Sequence, residues 1–397
     1  MATIFPFRGI RYNGQKIKDL GAAISPPYDV ISEKEEKQLR GNPYNIIHLE
    51  LPQGANRYWK AAQKLNFWQK KKILVRDDQP LFYVYKQIFS VEGKKYSRCG
   101  FFVSLQIESW GKTVKPHEKT LSKPKEDRLS LLRACRTNIS PIFGLFSDTN
   151  RAVQKILLNI TKQEPEMKVK DLQNVEHQLW LIKDITLQRK IQKLLKPKSV
   201  FIADGHHRYE VSLEYAQEQQ RENYYRNLMY LCPFEDKGLI ILPTHRQVSV
   251  SKDFVLDQFL QEAKKNFTVK QFAGSSEMLK QVGKGVYCYG IYAGGEDYYL
   301  LSYKKRTSRL AVKLVHQLLI NPVAQKIIYT KNASEAITFA RQSSRHLAFF
   351  LPPTPIEAIK KVALTGQTMP QKSTYFYPKL GTGLVLHYLG DGVSLSV

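Results

Sequence analysis

Cysteine is scarce in this chain of 397 residues. Cys99, Cys135, Cys232 and Cys288 stand far apart, with no C-x-x-C pair, which excludes a disulfide framework and a paired-cysteine zinc site. Cys232 and Cys288 lie in apolar runs, so buried thiols in a reducing compartment are expected. Long apolar runs are missing too. None approaches the ~18 residues of a membrane-spanning helix. The opening MATIFPFRGIRYNG has no apolar signal core and breaks at Pro6 and Gly9. A soluble cytoplasmic protein is the expectation. Neither glycine-rich phosphate loop, G-x-x-x-x-G-K-[ST] or G-x-G-x-x-G, occurs, and there is no G-x-S-x-G elbow. Acids are the last shortage: 35 Asp+Glu face 61 Lys+Arg, a net charge of +26. Such an excess favours anionic partners such as phosphates, nucleotides, nucleic acid or acidic lipid, or else it is a solvated basic surface.

What is present suits a large globular protein. Hydrophobic residues make up 43%, too many for a disordered chain, and the length suits two or three packing units. Helical periodicity over 55–72 places Tyr58, Ala62, Leu65 and Trp68 on one face. The runs 81–89 and 96–107, joined by VEGKK, predict a β-hairpin with glycine in its turn. Helices alternate with strands along the chain, which predicts an α/β or α+β fold with a mixed sheet. The segments drawn are 1–110, 111–245 and 246–397.

The strongest local signal is SVFIADGHHRYE, residues 199–210. A β-branched and aromatic strand ends in Asp204-Gly205, and a helix begins. Asp204 suits the N-cap, and Gly205 lets a ligand approach the backbone. His206, His207 and Arg208 fall in the first turn, where free N–H groups and the positive helix end favour an anion. Cationic side chains oppose the usual preference for acids at that end, a conflict that a bound phosphate would resolve. The plainer alternative is a solvated helix start. The histidines diverge by about 100° around the helix, so one ion is not easily held by both.

From 112 to 136 there are eight Lys/Arg and three acids. Lys119, Lys123, Lys125 and Arg128 could line a polyphosphate, and His117 and Glu118 are the acid–base pair of the loop. A basic solvated loop is the alternative. His245 and Arg246 follow a strand and are further candidates for a site at its end, with the capping of a loop as the equal alternative.

Several stretches together carry a resemblance: PFRGIRYN (6–13), SPPYDVIS (25–32), PYNIIHLELP (43–52), PHEKTLSKPKEDRLSLLRACRTNISPIFGLFSD (116–148), FIADGHHRYE (201–210), LIILPTHR (239–246), LPPTP (351–355) and MPQKSTYFYPKLGTGLV (369–385). By these the chain is identified as a member of the prokaryotic domain-of-unknown-function family 1015. Asp204-Gly-His-His-Arg208 is also similar to the phosphate-binding motif of the ParB/sulfiredoxin superfamily. That resemblance implies a ParB/sulfiredoxin-like core over 111–245, with large additions before and after it. Its free-serine kinases carry the same pentapeptide with a Pro-His-Glu upstream, here Pro116-His117-Glu118. The resemblance implies Glu118 as general base, and Asp204, His206, His207 and Arg208 as the grip on phosphates or Mg²⁺.

The leading functional expectation is a phosphotransferase that uses ATP or ADP with Mg²⁺ and a small hydroxyl-bearing acceptor. In this reading Glu118, His117 and Asp204 are catalytic. Gly205, His206, His207, Arg208, Lys119, Lys125 and Arg128 hold phosphate, and Asp204 bears the metal. The alternatives are a nucleotide-binding switch or DNA-associated ParB-like protein, with the +26 charge serving DNA, or a nucleotide or phosphoester hydrolase. No helix-turn-helix is evident, and the basic residues are spread widely.

Overall fold

The computed structural model describes residues 1–118, 123–366, 369–370 and 372–390. Its fold is mixed α/β, and the chain divides into two compact units. The first is built from Met1–Pro116, Thr120–Ile240 and Pro378–Val397, the second from His117–Lys119 and Ile241–Tyr377. Both are discontinuous in sequence. The segments 1–110, 111–245 and 246–397 remain a description of the sequence rather than of these units.

A nine-stranded sheet organises the first unit. Its strands are β1 (Ile4–Phe5), β2 (Phe82–Val91), β3 (Lys94–Gln106), β4 (Val114–Lys115), β5 (Ile142–Phe146), β6 (Met167–Lys170), β7 (Glu176–Ile182), β8 (Val200–Asp204) and β9 (Arg226–Pro233). The spatial order is β4-β8-β5-β9-β3-β2-β7-β6, with β1 paired to β3. Parallel contacts join β8 to β4 and β9 to β5, and the other neighbours are antiparallel. The expected hairpin is β2–β3. Glu92 and Gly93 both take positive φ, 49° and 77°, which matches the right-handed twist of the strands they join.

Helices of this unit are α1 (Glu33–Arg40), α2 (Ile47–Glu50), α3 (Arg57–Lys70), α4 (Lys123–Cys135), α5 (Ala152–Ile160), α6 (Ile185–Leu195) and α7 (His206–Gln219). α3 buries Ala61, Leu65 and Trp68, close to the predicted face. Leu129 and Leu132 of α4 share a core with Tyr209 and Val211 of α7 and with the sheet residues Val200, Ile202 and Met229. Ion pairs of Lys125 with Glu210 and of Arg133 with Glu218 tie α4 to α7.

In the second unit the strands are β10 (His245–Val250), β11 (Phe267–Phe272), β12 (Cys288–Tyr292), β13 (Tyr298–Tyr303), β14 (Ala324–Thr330) and β15 (His346–Phe350). They form an antiparallel sheet in the order β11-β13-β12-β15-β10-β14. Helices α8 (Leu256–Ala263), α9 (Ser275–Val282), α10 (Ala311–Val315), α11 (Ala333–Arg341) and α12 (Ile356–Leu364) accompany it. Val248, Ile291, Leu301 and Phe349 centre its core. Cys99, Cys135 and Cys232 are buried thiols of the first unit, and Cys288 in the second is half-buried. Among the described residues no helix is long and apolar enough to cross a membrane.

Candidate functional site

The candidate site begins where β8 runs into α7. Val200, Phe201, Ile202 and Ala203 are buried in the sheet, so the strand end cannot shift, and Asp204 emerges from it half-buried. The helix is capped by Gly205, not by Asp204 as the sequence suggests. Gly205 has φ +95°, and a Cβ there would stand 3.0 Å from Arg208 Nε. Both the backbone angle and the close approach demand glycine. No side chain caps α7, and its first turn holds no acid.

Asp204 is unavailable as a cap because cations claim it. Arg208 Nη2 donates to its Oδ2 at 2.6 Å, and Lys379 Nζ donates to its Oδ1. All three side chains are largely buried, at 10% exposed for Arg208, 17% for Asp204 and 11% for Lys379. Arg208 Nη1 also donates to the Pro141 carbonyl. Burial by itself would lower the Arg208 pKa, but Asp204, with Asp29, Tyr28 and Glu50 acting after it, holds the guanidinium above its ordinary value. The expected phosphate clamp is thus an anchored residue that fixes the turn. Lys379 is held by its own backbone. Gln87 Nε2 donates to the Lys379 carbonyl at 2.9 Å, and Arg98 Nη2 to that of Pro378 at 2.6 Å.

His206 is buried, with Trp110 beside it at 6.4 Å between ring centroids, and His207 is half-buried. Behind the corner lies a cavity of about 50 Å³, lined in part by Glu50, Arg128, Ser140, Arg208, Ser212 and Asn227. Glu50 Oε1 accepts from Ser140 Oγ at 2.9 Å and faces Arg128 Nη1 at 3.6 Å. Arg128 lies over the Tyr28 ring at 4.4 Å, and burial pushes the Tyr28 hydroxyl up to about 12. Asn227 Oδ1 is buried with no hydrogen-bond partner among the described residues, in a space with room for water. Lys125, another expected phosphate ligand, is paired with Glu210. Lys119 lies outside the described residues, as does the side chain of Lys123.

The structure places His117 and Glu118 in the second unit. His117 is fully buried, and its Nε2 shares a hydrogen bond with Thr374 Oγ1 at 3.1 Å. Glu118 Oε1 accepts from the Lys372 backbone N–H, and Glu118 pairs with Met369 in a parallel bridge. Arg246 is buried nearby in charge terms. Burial pushes it down to about 10, while Tyr329 and Glu118 oppose that shift. Its Nε donates to His316 Nε2 at 3.2 Å, and it lies over the Tyr329 ring at 5.2 Å. His245 accepts from the Leu351 N–H at Nδ1, 3.3 Å away, and burial next to Arg246 pushes it down to about 4. His245 and Arg246 are therefore interior groups at the start of β10, not exposed ligands.

Magnesium does not fit Asp204 as it stands, since Arg208 and Lys379 cover both carboxylate oxygens. Among the described residues no group of three or more His, Cys, Asp or Glu could hold a metal ion. The sequence reading missed Lys379. It lies 175 residues beyond Asp204, inside the stretch 369–385 that the reading had marked for other reasons.

The family model described as "Protein of unknown function (DUF1015)" matches residues 4–324. No curated protein matches the chain. Among solved structures, a free serine kinase in complex with AMP is 13% identical with a TM-score of 0.36, covering 70% of this chain and 86% of that one. A conserved hypothetical protein from Pyrococcus furiosus is 13% identical with a TM-score of 0.35, covering 72% and 95%. SbnI with a C-terminal truncation, from Staphylococcus aureus, is 11% identical with a TM-score of 0.40, covering 71% and 87%.

Proposed function

The chain belongs to the DUF1015 family, whose description assigns no activity, and from its β8–α7 corner we propose a nucleotide-dependent phosphotransferase acting on a small hydroxyl-bearing molecule. One observation carries this reading. An uncapped helix start with no acid in its first turn has its neighbouring carboxylate shared between two largely buried cations. Arg208 and Lys379 both bond to Asp204, Asp29 and Glu50 act on Arg208 without a bond to it, and the positive helix end has no acid of its own, so a nucleotide phosphate is favoured there through the backbone N–H groups. In this reading Arg208 positions the Asp204-Gly205 turn, His206 and His207 flank the phosphates, and Lys379 turns from Asp204 to the incoming anion.

Phosphoryl transfer needs positioning and charge neutralisation more than covalent help. The acceptor oxygen bonds to the terminal phosphorus as the bridging P–O bond to the nucleotide breaks. The acceptor proton goes to a carboxylate, and Glu118 keeps that proposed role. It belongs to the second unit, and Glu118→Gln tests it separately.

Calorimetry with ADP and ATP, with and without Mg²⁺, tests the reading. We expect nucleotide binding that weakens tenfold or more in Lys379→Met, about 1.4 kcal/mol. Arg208→Lys, which cannot reproduce the planar fork, should weaken it as well. Failure of both nucleotides to bind, or full affinity in Lys379→Met, overturns the site. Turnover of ATP in water alone favours the hydrolase, and tighter binding of duplex DNA than of nucleotide favours the DNA-associated alternative.

A further inference from the structure

A second basic pocket lies in the first unit and shares no residue with the cavity behind the β8–α7 corner. Its volume is about 200 Å³, and its walls include Phe5, Arg8, Arg76, Arg226, His387 and Tyr388. Three guanidinium groups line it, and no carboxylate does among the described residues. The sequence reading did not single out any of them. Arg226 begins β9 and is 7% exposed, yet its guanidinium has no hydrogen bond or ion pair among the described residues. It lies over the Phe5 ring, with Cζ 3.9 Å from the centroid, instead. Arg76 lies over the Tyr388 ring at 5.5 Å. Arg8 uses Nε for the Asp77 carbonyl, 2.9 Å away, and no partner for its other nitrogens is found among the described residues.

His387 completes the wall. It is 7% exposed, and its Nδ1 is buried with no hydrogen-bond partner among the described residues. Burial, then Arg226 and Arg76, push it down to about 3, so it is a neutral group that can bond a ligand without adding charge. Burial lowers Arg226 too, with Glu222 opposing, and burial and Arg8 lower Arg76. Like charges thus crowd one another around an enclosed space. Cations gathered this way, with no carboxylate among the described residues of the wall, are stabilised by an anion that enters.

We propose that this pocket is a binding site for a small organic oxyanion, a phosphate or carboxylate carried on a flat apolar body. The guanidinium forks take the oxyanion, and the rings of Phe5 and Tyr388 flank the apolar part. The size agrees. A cavity of about 150 Å³ accepts benzene, so about 200 Å³ accepts one ring with a charged substituent.

The experiment is calorimetry of the full-length protein with phenyl phosphate, benzoate, inorganic phosphate and phenol. We expect phenyl phosphate or benzoate to bind in the millimolar range or tighter, inorganic phosphate more weakly, and phenol not at all. Arg226→Gln and Arg8→Gln should each weaken binding tenfold or more, while Lys379→Met leaves it unchanged. Arg8 is exposed, so Arg8→Gln decides the matter should Arg226→Gln fail to fold. Absence of phenyl phosphate and benzoate binding overturns the proposal, and so does full affinity in Arg8→Gln. Phenol binding as well as phenyl phosphate shows an apolar cavity only and overturns it too. Binding lost in Lys379→Met but kept in Arg8→Gln assigns the anion to the β8–α7 corner instead.

Discussion

Replacing Gly205 by alanine separates two costs that the structure sets at one position. The first is the backbone. An L-residue at φ +95° sits in the left-handed region, at about 1–2 kcal/mol. The second is contact. The new Cβ would stand 3.0 Å from Arg208 Nε and 3.1 Å from its Cζ, so the guanidinium must give way. If that breaks its charge-assisted bond to Asp204, about 1.5–3 kcal/mol more is lost. With both losses, Gly205→Ala should cost the first unit about 2.5–5 kcal/mol. Gly205→Asn relieves most of the backbone cost, since asparagine tolerates this region, but keeps the contact. The order of stability should be glycine, asparagine, alanine. In the double variant Gly205→Ala with Arg208→Met the contact is gone, so the two losses should be less than additive. Urea unfolding followed by tryptophan fluorescence isolates the right unit. All four tryptophans, Trp59, Trp68, Trp110 and Trp180, lie in it, and Trp110 stacks on Tyr209 of α7 at 4.3 Å. An alanine variant within about 0.5 kcal/mol of the parent, with an unchanged denaturant slope, refutes the reasoning.

Other outcomes follow from the same contacts. Glu118→Gln keeps the shape of the side chain and removes the charge; phosphoryl transfer should fall at least a hundredfold while nucleotide affinity stays within a few-fold, and retained turnover with loss in His117→Asn would move the base to His117. Glu50→Gln leaves Arg128 facing a neutral amide in a buried setting, and the tryptophan-monitored unfolding should show a loss of about 1–3 kcal/mol. In the second unit, burial and then Arg246 hold both His245 and His316 down at about 4 against an ordinary 6.5. Between these values the unfolded chain binds more protons, so stability is complete above pH 6.5 and falls as pH drops toward 4. Amide exchange in β10 and β15 should therefore quicken over that window beyond the intrinsic rate change, and less so in His245→Phe; flat protection would contradict the burial argument.

Local features were the legible ones. Glu92-Gly93 marked a hairpin turn, and SVFIADGHH marked a strand-to-helix corner, because both signals sit within a few residues of what they specify. Lys379 and Arg246 were different. Lys379 reaches Asp204 only because Gln87 and Arg98, on two strands of the large sheet, hold the backbone of Pro378 and Lys379. Arg246 looked like a ligand at a strand end because nothing near it in sequence announces that His316 and Tyr329 will enclose it. The same holds for the second pocket, whose arginines come from positions 8, 76 and 226.

The misplaced cap follows from charge supply. Asp204 is a good N-cap by residue type, but its two oxygens accept from Arg208 and Lys379, bonds in which both partners are charged, whereas in a cap bond only the carboxylate is. With 61 basic residues and 35 acidic ones, a carboxylate near a buried cation is claimed by it. Ser32 and Asp184 cap α1 and α6, whereas α3, α5, α7, α8, α9, α11 and α12 begin with no side-chain cap. An uncapped start is therefore ordinary in this chain and cannot alone point to a ligand. What sets α7 apart is the pairing beside it: one carboxylate, two largely buried cations, and a glycine whose missing Cβ lets the guanidinium close on the turn. Gly205 and Lys379 are accordingly the positions where substitution discriminates most sharply between an anion site and a merely solvated helix start.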